Sequence, residues 1–201
     1  MPERDAFQDR ERGLEEEYFR KREKALIEKF KQQVAQETER KQLVEATGVS
    51  DQKLLDTLQE LGFTPDTARL LHLVPLVQVA WVDGDVTKSE RDMIMEAAGL
   101  YGVEPNSPVY QQLTTWLDRC PTDQFFESAL LIVRAMLQAL PAEEQASSEQ
   151  ELVALCTRLA KVSGGVFGIS SISSKEQALL EHITTELTRT REAAVGRALK
   201  G

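Results

Sequence analysis

The chain has 201 residues, 41% hydrophobic and 28% charged, enough for one full-sized domain with an appendage and too short for a two-domain enzyme of ordinary size. Its 24 Lys and Arg against 33 Asp and Glu leave a formal charge of -9, which disfavours a nonspecific grip of the whole molecule on nucleic-acid phosphates or anionic lipid, so any such contact has to be local. Cys120 and Cys156 make neither a disulfide framework nor a metal knuckle and fit a reducing compartment, with the cytoplasm as the expected location; the first ten residues lack the apolar core of a signal peptide.

Residues 1–45 hold 23 charged side chains, 11 basic and 12 acidic, with no proline after Pro2 and no turn cluster. Phe7, Leu14, Tyr18, Ala25, Phe30 and Val34 recur at steps of seven, four, seven, five and four, which predicts a narrow stripe along one long helix. Charged pairs four residues apart, Glu17 with Lys21 and Glu37 with Lys41, add about 0.3 kcal/mol each, too little for such a helix to fold without a partner, a copy of itself or fraying.

The composition changes near Thr47-Gly48, and the remainder of the chain reads as helices with almost no alternating strand pattern. Ser50 is placed to cap a helix over 51–61 that stops at Gly62; Thr64 and Pro65 set the cap and first turn of the next. That next helix is apolar over 70–82, interrupted by His72, Pro75 and Gln78. A membrane span needs about 20 apolar residues, so the run predicts a central core helix kinked at Pro75 rather than a membrane insertion. Further helices are expected at 88–101, 107–118, 122–139, 142–162 and 174–195, separated by Gly102, Pro105, Pro108, Pro121, Pro141 and a Ser/Gly connector over 163–174. The fold class is all-α: a long charged N-terminal helix, then a compact helical bundle.

The bundle carries an internal duplication. Residues 79–86, Val-Ala-Trp-Val-Asp-Gly-Asp-Val, align with 159–166, Leu-Ala-Lys-Val-Ser-Gly-Gly-Val. A capping box comes after each copy, Thr87 with Glu90 and Ser173 with Glu176, the second after six extra residues. The pattern predicts two helical hairpins in which each long apolar helix covers the other. An apolar helix followed by Trp81-Val82-Asp83-Gly84-Asp85-Val86-Thr87-Lys88-Ser89-Glu90 resembles the signature of the TerB-like domain, over residues 66–188. That resemblance implies a helical interaction module, associated with tellurite resistance and stress complexes, with a proposed capacity for divalent cations. Asp83, Asp85 and Glu90 bring three carboxylates around one turn, the ligand type calcium prefers, but a calcium ion wants six to eight oxygens and the second copy has Ser163 and Gly165 in place of acids. Two readings stand: a divalent-cation site, or, as the residues favour, acids complementing a helix N-terminus with Gly84 making the turn. No other cofactor is expected.

Residues 5–20, Asp-Ala-Phe-Gln-Asp-Arg-Glu-Arg-Gly-Leu-Glu-Glu-Glu-Tyr-Phe-Arg, resemble the inhibitory segment of the small F-type ATP synthase inhibitor proteins. In that family a disordered peptide folds into a helix at a catalytic interface of the synthase and suppresses ATP hydrolysis. The resemblance places the family's aromatic pair on Tyr18 and Phe19, its essential acids on Glu15 and Glu16, its following arginine on Arg20, and its upstream anchors on Phe7, Arg10 and Glu11. The run before the aromatic pair, acidic-acidic-acidic-basic in the family, is Leu14-Glu15-Glu16-Glu17 here. Physically, aromatic and arginine anchors flanked by acids suit a helix that folds on docking into a basic groove. On pattern alone, a solvated coiled coil, or an extension packed along the bundle, is the competing reading. The family's coiled-coil segment dimerises and is gated by histidines; residues 21–48 contain none, so self-association through this helix would lack an imidazole switch.

No convergent set of acid, base, nucleophile or cofactor residues is visible, and the chain does not read as an enzyme. His72 lies on the apolar helix, His182 on a late amphipathic one, and 163–168 lacks the Gly-Lys-Ser/Thr of a phosphate loop. The expected layout is an inhibitor-like helix over 1–48, a connecting helix and turn over 49–65, the TerB-like domain over 66–188, and a basic tail over 189–201. The expected function is inhibition of ATP hydrolysis through contact with F-type ATP synthase catalytic subunits, without nucleic acid; the alternative is a TerB-like interaction or cation-responsive stress module.

Overall fold

The structure, a computed structural model, describes residues 3–163 and 172–189, and within the first helix the side chains of Tyr18 and of residues 20 onward. It is all-α, with no strand among the described residues. The chain divides into two units, Met1–Gln42 and Leu43–Gly201.

The first unit is most of α1 (Glu3–Thr47), a helix of 45 residues. Nothing in its sequence interrupts a helix except Gly13, and Glu37 and Lys41 pair at 3.1 Å on its exposed surface. Its last turn belongs to the second unit, where Leu43 and Thr47 are buried. Gly48 ends the helix at φ +69°, its N–H donating to the Val44 carbonyl at 2.8 Å. A Cβ at Gly48 would stand 3.2 Å from Cβ of Ala139, so both the turn and the packing select glycine there.

The second unit places α2 (Gln52–Glu60), a 3-10 helix (Thr67–Leu73), α3 (Val74–Ala80), α4 (Lys88–Leu100), α5 (Pro108–Asp118), α6 (Asp123–Ala139), α7 (Ala142–Ser163) and α8 (Ser174–Thr188) around one core. At its centre is α3, in which Val74, Pro75, Leu76, Val77, Val79 and Ala80 are all buried. A helix apolar on every side has to be covered on every side, and α3 packs against the 3-10 helix, α4, α6, α7 and α8. On α7 the buried Leu152, Cys156, Leu159 and Ala160 fall at steps of four, three and one, a single helical face.

Four boundaries depart from the sequence reading. The 3-10 helix begins at Thr67 behind Asp66, not at Thr64 and Pro65, although the Thr64 hydroxyl oxygen accepts from the Thr67 N–H at 3.3 Å. The α2 cap is Asp51 rather than Ser50, because its carboxylate accepts from the backbone N–H of both Lys53 and Leu54. The run over 70–82 is not one helix kinked at Pro75: the 3-10 helix ends at Leu73 and a new α-helix begins at Val74, which puts Pro75 in a first turn where its missing N–H costs nothing. The last helix stops at Thr188 instead of 195, with Arg189 extended at ψ 114°; residues 190–195 lie outside the described residues. The segment 49–65, read as a connector, contributes Val49, Leu55, Leu58 and Phe63 to the core. Phe63, Trp116 and Phe125 meet with ring centroids 5.2–6.0 Å apart.

Two substitutions in α3 should move stability in opposite directions. Leu76→Ala, which empties a fully buried site, should cost about 2–5 kcal/mol in urea unfolding. Gln78→Leu removes a buried Oε1 that has no hydrogen-bond partner and should gain about 1 kcal/mol; a loss of that size would show that the amide is satisfied in solution.

Candidate functional site

The residues of the inhibitor-like pattern share one element. Phe7, Arg10, Glu11, Glu15, Glu16, Tyr18, Phe19 and Arg20 all lie on α1. Tyr18 is 60% exposed and Arg20 is exposed, whereas the side chains of the other six lie outside the described residues. Exposure continues past them, through Leu26, Ile27, Phe30 and Val34. The expected stripe, stepping from Ala25 by five to Phe30 and by four to Val34, passed over Leu26 and Ile27.

The acidic turn is built by the end of α3. Trp81 caps that helix, Gly84 donates its N–H to the Trp81 carbonyl at 3.0 Å, and the turn needs Gly84 at φ +101°. Asp83 and Asp85 are exposed, while Glu90 points inward and is 2% exposed. The Glu90 carboxylate accepts from the backbone N–H of Thr87 at 2.8 Å and from its hydroxyl at 2.7 Å, and the Glu90 N–H donates to the Thr87 hydroxyl oxygen at 3.3 Å. This is the expected capping box. The three carboxylates are therefore not brought together: Glu90 is committed to the helix start and the aspartates face solvent. Among the described residues no three His, Cys, Asp or Glu side chains converge to hold a metal ion.

The second copy repeats the cap. Glu176, 1% exposed, accepts from the Ser173 N–H at 2.6 Å, and its own N–H donates to the Ser173 hydroxyl at 3.2 Å. Gly165 lies outside the described residues, and Ser163 closes α7. Burial pushes the Glu90 carboxyl above the usual carboxylate range against the pull of its bonds to Thr87, and the charges of Glu176 and Asp83 add to the rise.

Trp81 has a further task. Its indole N–H donates to the Trp116 carbonyl at 2.8 Å, while Arg91 donates to the Leu117 carbonyl at 3.0 Å and pairs with Asp118. Together they satisfy carbonyls that the end of α5 leaves open. Sequence reasoning missed this; the signal lies in a tryptophan placed at a helix end, where its N–H needs an acceptor.

The remaining reactive groups are scattered. His72 stacks on Tyr101 with centroids 5.1 Å apart and its pKa is lowered by burial. On α8, His182 contacts Glu127 at 3.0 Å. Cys120 and Cys156 are free thiols; complete burial pushes Cys156 up to about 12, far from thiolate reactivity. Arg189 of the expected basic tail binds Glu186 at 2.8 Å, a carboxylate shared with Arg134 at 3.2 Å; Arg191, Arg197 and Lys200 lie outside the described residues. Compared with protein-family models, curated proteins and solved structures, the chain shows no significant match.

A folded-state pKa above the unfolded one favours the protonated carboxyl, so the contribution of Glu90 is present below the unfolded pKa and lost as pH rises through the folded one. Glu90→Gln cannot ionise and should gain on the parent protein as pH rises through that window. Urea midpoints of both proteins, measured across the carboxylate range and up to neutrality, check this; a difference independent of pH would refute it. Calcium at about 1 mM should move the melting temperature by less than about 2 °C, since a preferential ligand would stabilise by mass action. A larger rise that Asp83→Ala abolishes would establish cation binding at the turn.

Proposed function

We propose that the protein is a regulator rather than an enzyme, and that it suppresses ATP hydrolysis by an F-type ATP synthase through residues 7–20 of α1. The likeness of residues 5–20 to the inhibitor segment carries this reading. It is supported by the position of those residues within one helix and by the exposure of Tyr18, which leaves an aromatic anchor at the surface. Docked at a catalytic interface, Tyr18 and Phe19 would supply the apolar contact and Arg20 a charged hydrogen-bond donor, while Glu15 and Glu16 would meet basic side chains of the synthase. The second unit then serves as a TerB-like body presenting the helix, and the cytoplasm is the proposed location. No helix among the described residues is long and apolar enough to cross a membrane.

A second reading, a TerB-like interaction or cation-responsive stress module, rests on the likeness of residues 81–90 to the TerB-like signature. ATP hydrolysis separates the two. A peptide of residues 1–45 and the full chain should both inhibit a cognate F-type synthase. Phe19→Ala should weaken inhibition about tenfold or more, since losing an interfacial aromatic costs about 2 kcal/mol. Lys31→Ala should change it less than about twofold, and inhibition should vary little between about pH 6 and 8 because residues 21–48 lack histidine. Hydrolysis left untouched by peptide and full chain at roughly tens of micromolar would remove the inhibitor reading and favour the interaction module.

A further inference from the structure

C-terminal to the inhibitor-like residues, α1 carries an apolar patch that the inhibitor reading does not use. Leu26, Ile27, Phe30 and Val34 are 61%, 49%, 67% and 48% exposed. Steps of four join Leu26, Phe30 and Val34, and steps of three and seven join Ile27 to Phe30 and Val34, so the four side chains form one apolar face two turns long. Basic residues border this face on both sides, Arg22 and Lys29 along one edge and Arg20, Lys24 and Lys31 along the other, all exposed. Residues 20–31 hold six Lys and Arg against two Glu, in a chain whose total charge is -9. The positive charge is thus concentrated where the exposed apolar side chains are.

We propose that this face of α1 adsorbs to an anionic lipid surface. Apolar side chains flanked on both edges by long basic ones are the arrangement of a helix lying in the headgroup plane. Leu26, Ile27, Phe30 and Val34 enter the acyl boundary while the lysine and arginine stems lie along it and their charges reach the lipid phosphates. A second copy of α1 is a poorer fit. The apolar face spans two turns, short of the three or four heptads of a coiled coil, and it gives way to the Glu37–Lys41 ion pair on the C-terminal side. The acidic residues 3–17 of another copy could meet the basic edges, but that stretch offers only Ala6, Phe7 and Leu14 as apolar partners. The adsorption needs nothing from the ATP synthase reading and would stand without it.

Flotation of the full-length protein with vesicles tests the proposal. It should bind phosphatidylcholine vesicles containing about 30 mol % phosphatidylglycerol, ignore pure phosphatidylcholine, and dissociate when NaCl rises from about 0.1 to 0.5 M. Leu26→Ser with Phe30→Ser, and separately Lys24→Glu with Lys31→Glu, should each reduce the bound fraction about tenfold. These side chains are exposed, so the bundle should be retained, and circular dichroism of each variant checks this. No binding to anionic vesicles, equal binding to neutral ones, or binding that survives both double variants would overturn the proposal. So would an unbound protein that sediments as a dimer until Leu26→Ser with Phe30→Ser dissociates it, because the face would then belong to a second copy.

Discussion

The bundle depends on the apolar surface that α3 exposes on all sides. A helix of seven residues has little stability of its own, and its burial requires neighbours around the full circumference. The 3-10 helix, α4, α6, α7 and α8 provide that enclosure. Two consequences appear at its C-terminal end. The chain must turn back sharply, which Gly84 allows, and Trp81, half-buried at the boundary, must find an acceptor for its indole N–H, which α5 provides. The motif around the acidic turn is thus tied to packing before any role toward a ligand is considered.

The two capping boxes bring a related constraint. Each of α4 and α8 starts with a hydroxyl residue and a glutamate three positions later, and in both the glutamate is buried. A buried carboxylate is tolerated here because backbone N–H groups at the helix start, with Thr87's hydroxyl in the first copy, meet it at short range. Two such caps in one small bundle place the Glu176 charge close enough to raise the cost of ionising Glu90.

Much of this was legible in the sequence, because caps and breakers act within a few residues. Thr87 and Glu90, Ser173 and Glu176, Ser107 ahead of Pro108, and Thr122 ahead of Asp123 all mark helix starts where they stand in the chain. What escaped depends on competition or on distance. Ser50 and Asp51 are both cap formers, and only the geometry of two backbone N–H groups decides for the carboxylate. Pro75 was compatible with a kink or with a helix start. The end of α8 is fixed by Gln138, 51 positions away, which donates to the Arg189 carbonyl, and by a carboxylate shared between Arg134 and Arg189. At the candidate sites, the carboxylates of the acidic turn were visible as residue types, but their opposite orientations were not. On α1, Leu26 and Ile27 lie off the expected stripe and are conspicuous only once exposure is known.

The placement of the tryptophans has a spectroscopic consequence. Both indoles of the chain lie in the second unit, joined through the hydrogen bond from Trp81 to the Trp116 carbonyl, and α1 carries none. Emission excited at the red edge of indole absorption therefore reports the junction of α3 with α5 and is silent about the long helix, whose only phenol is Tyr18. Far-ultraviolet dichroism, by contrast, registers every helical residue, and α1 contributes 45 of them. The two signals recorded on one sample distinguish melting of the long helix from opening of the bundle without any label.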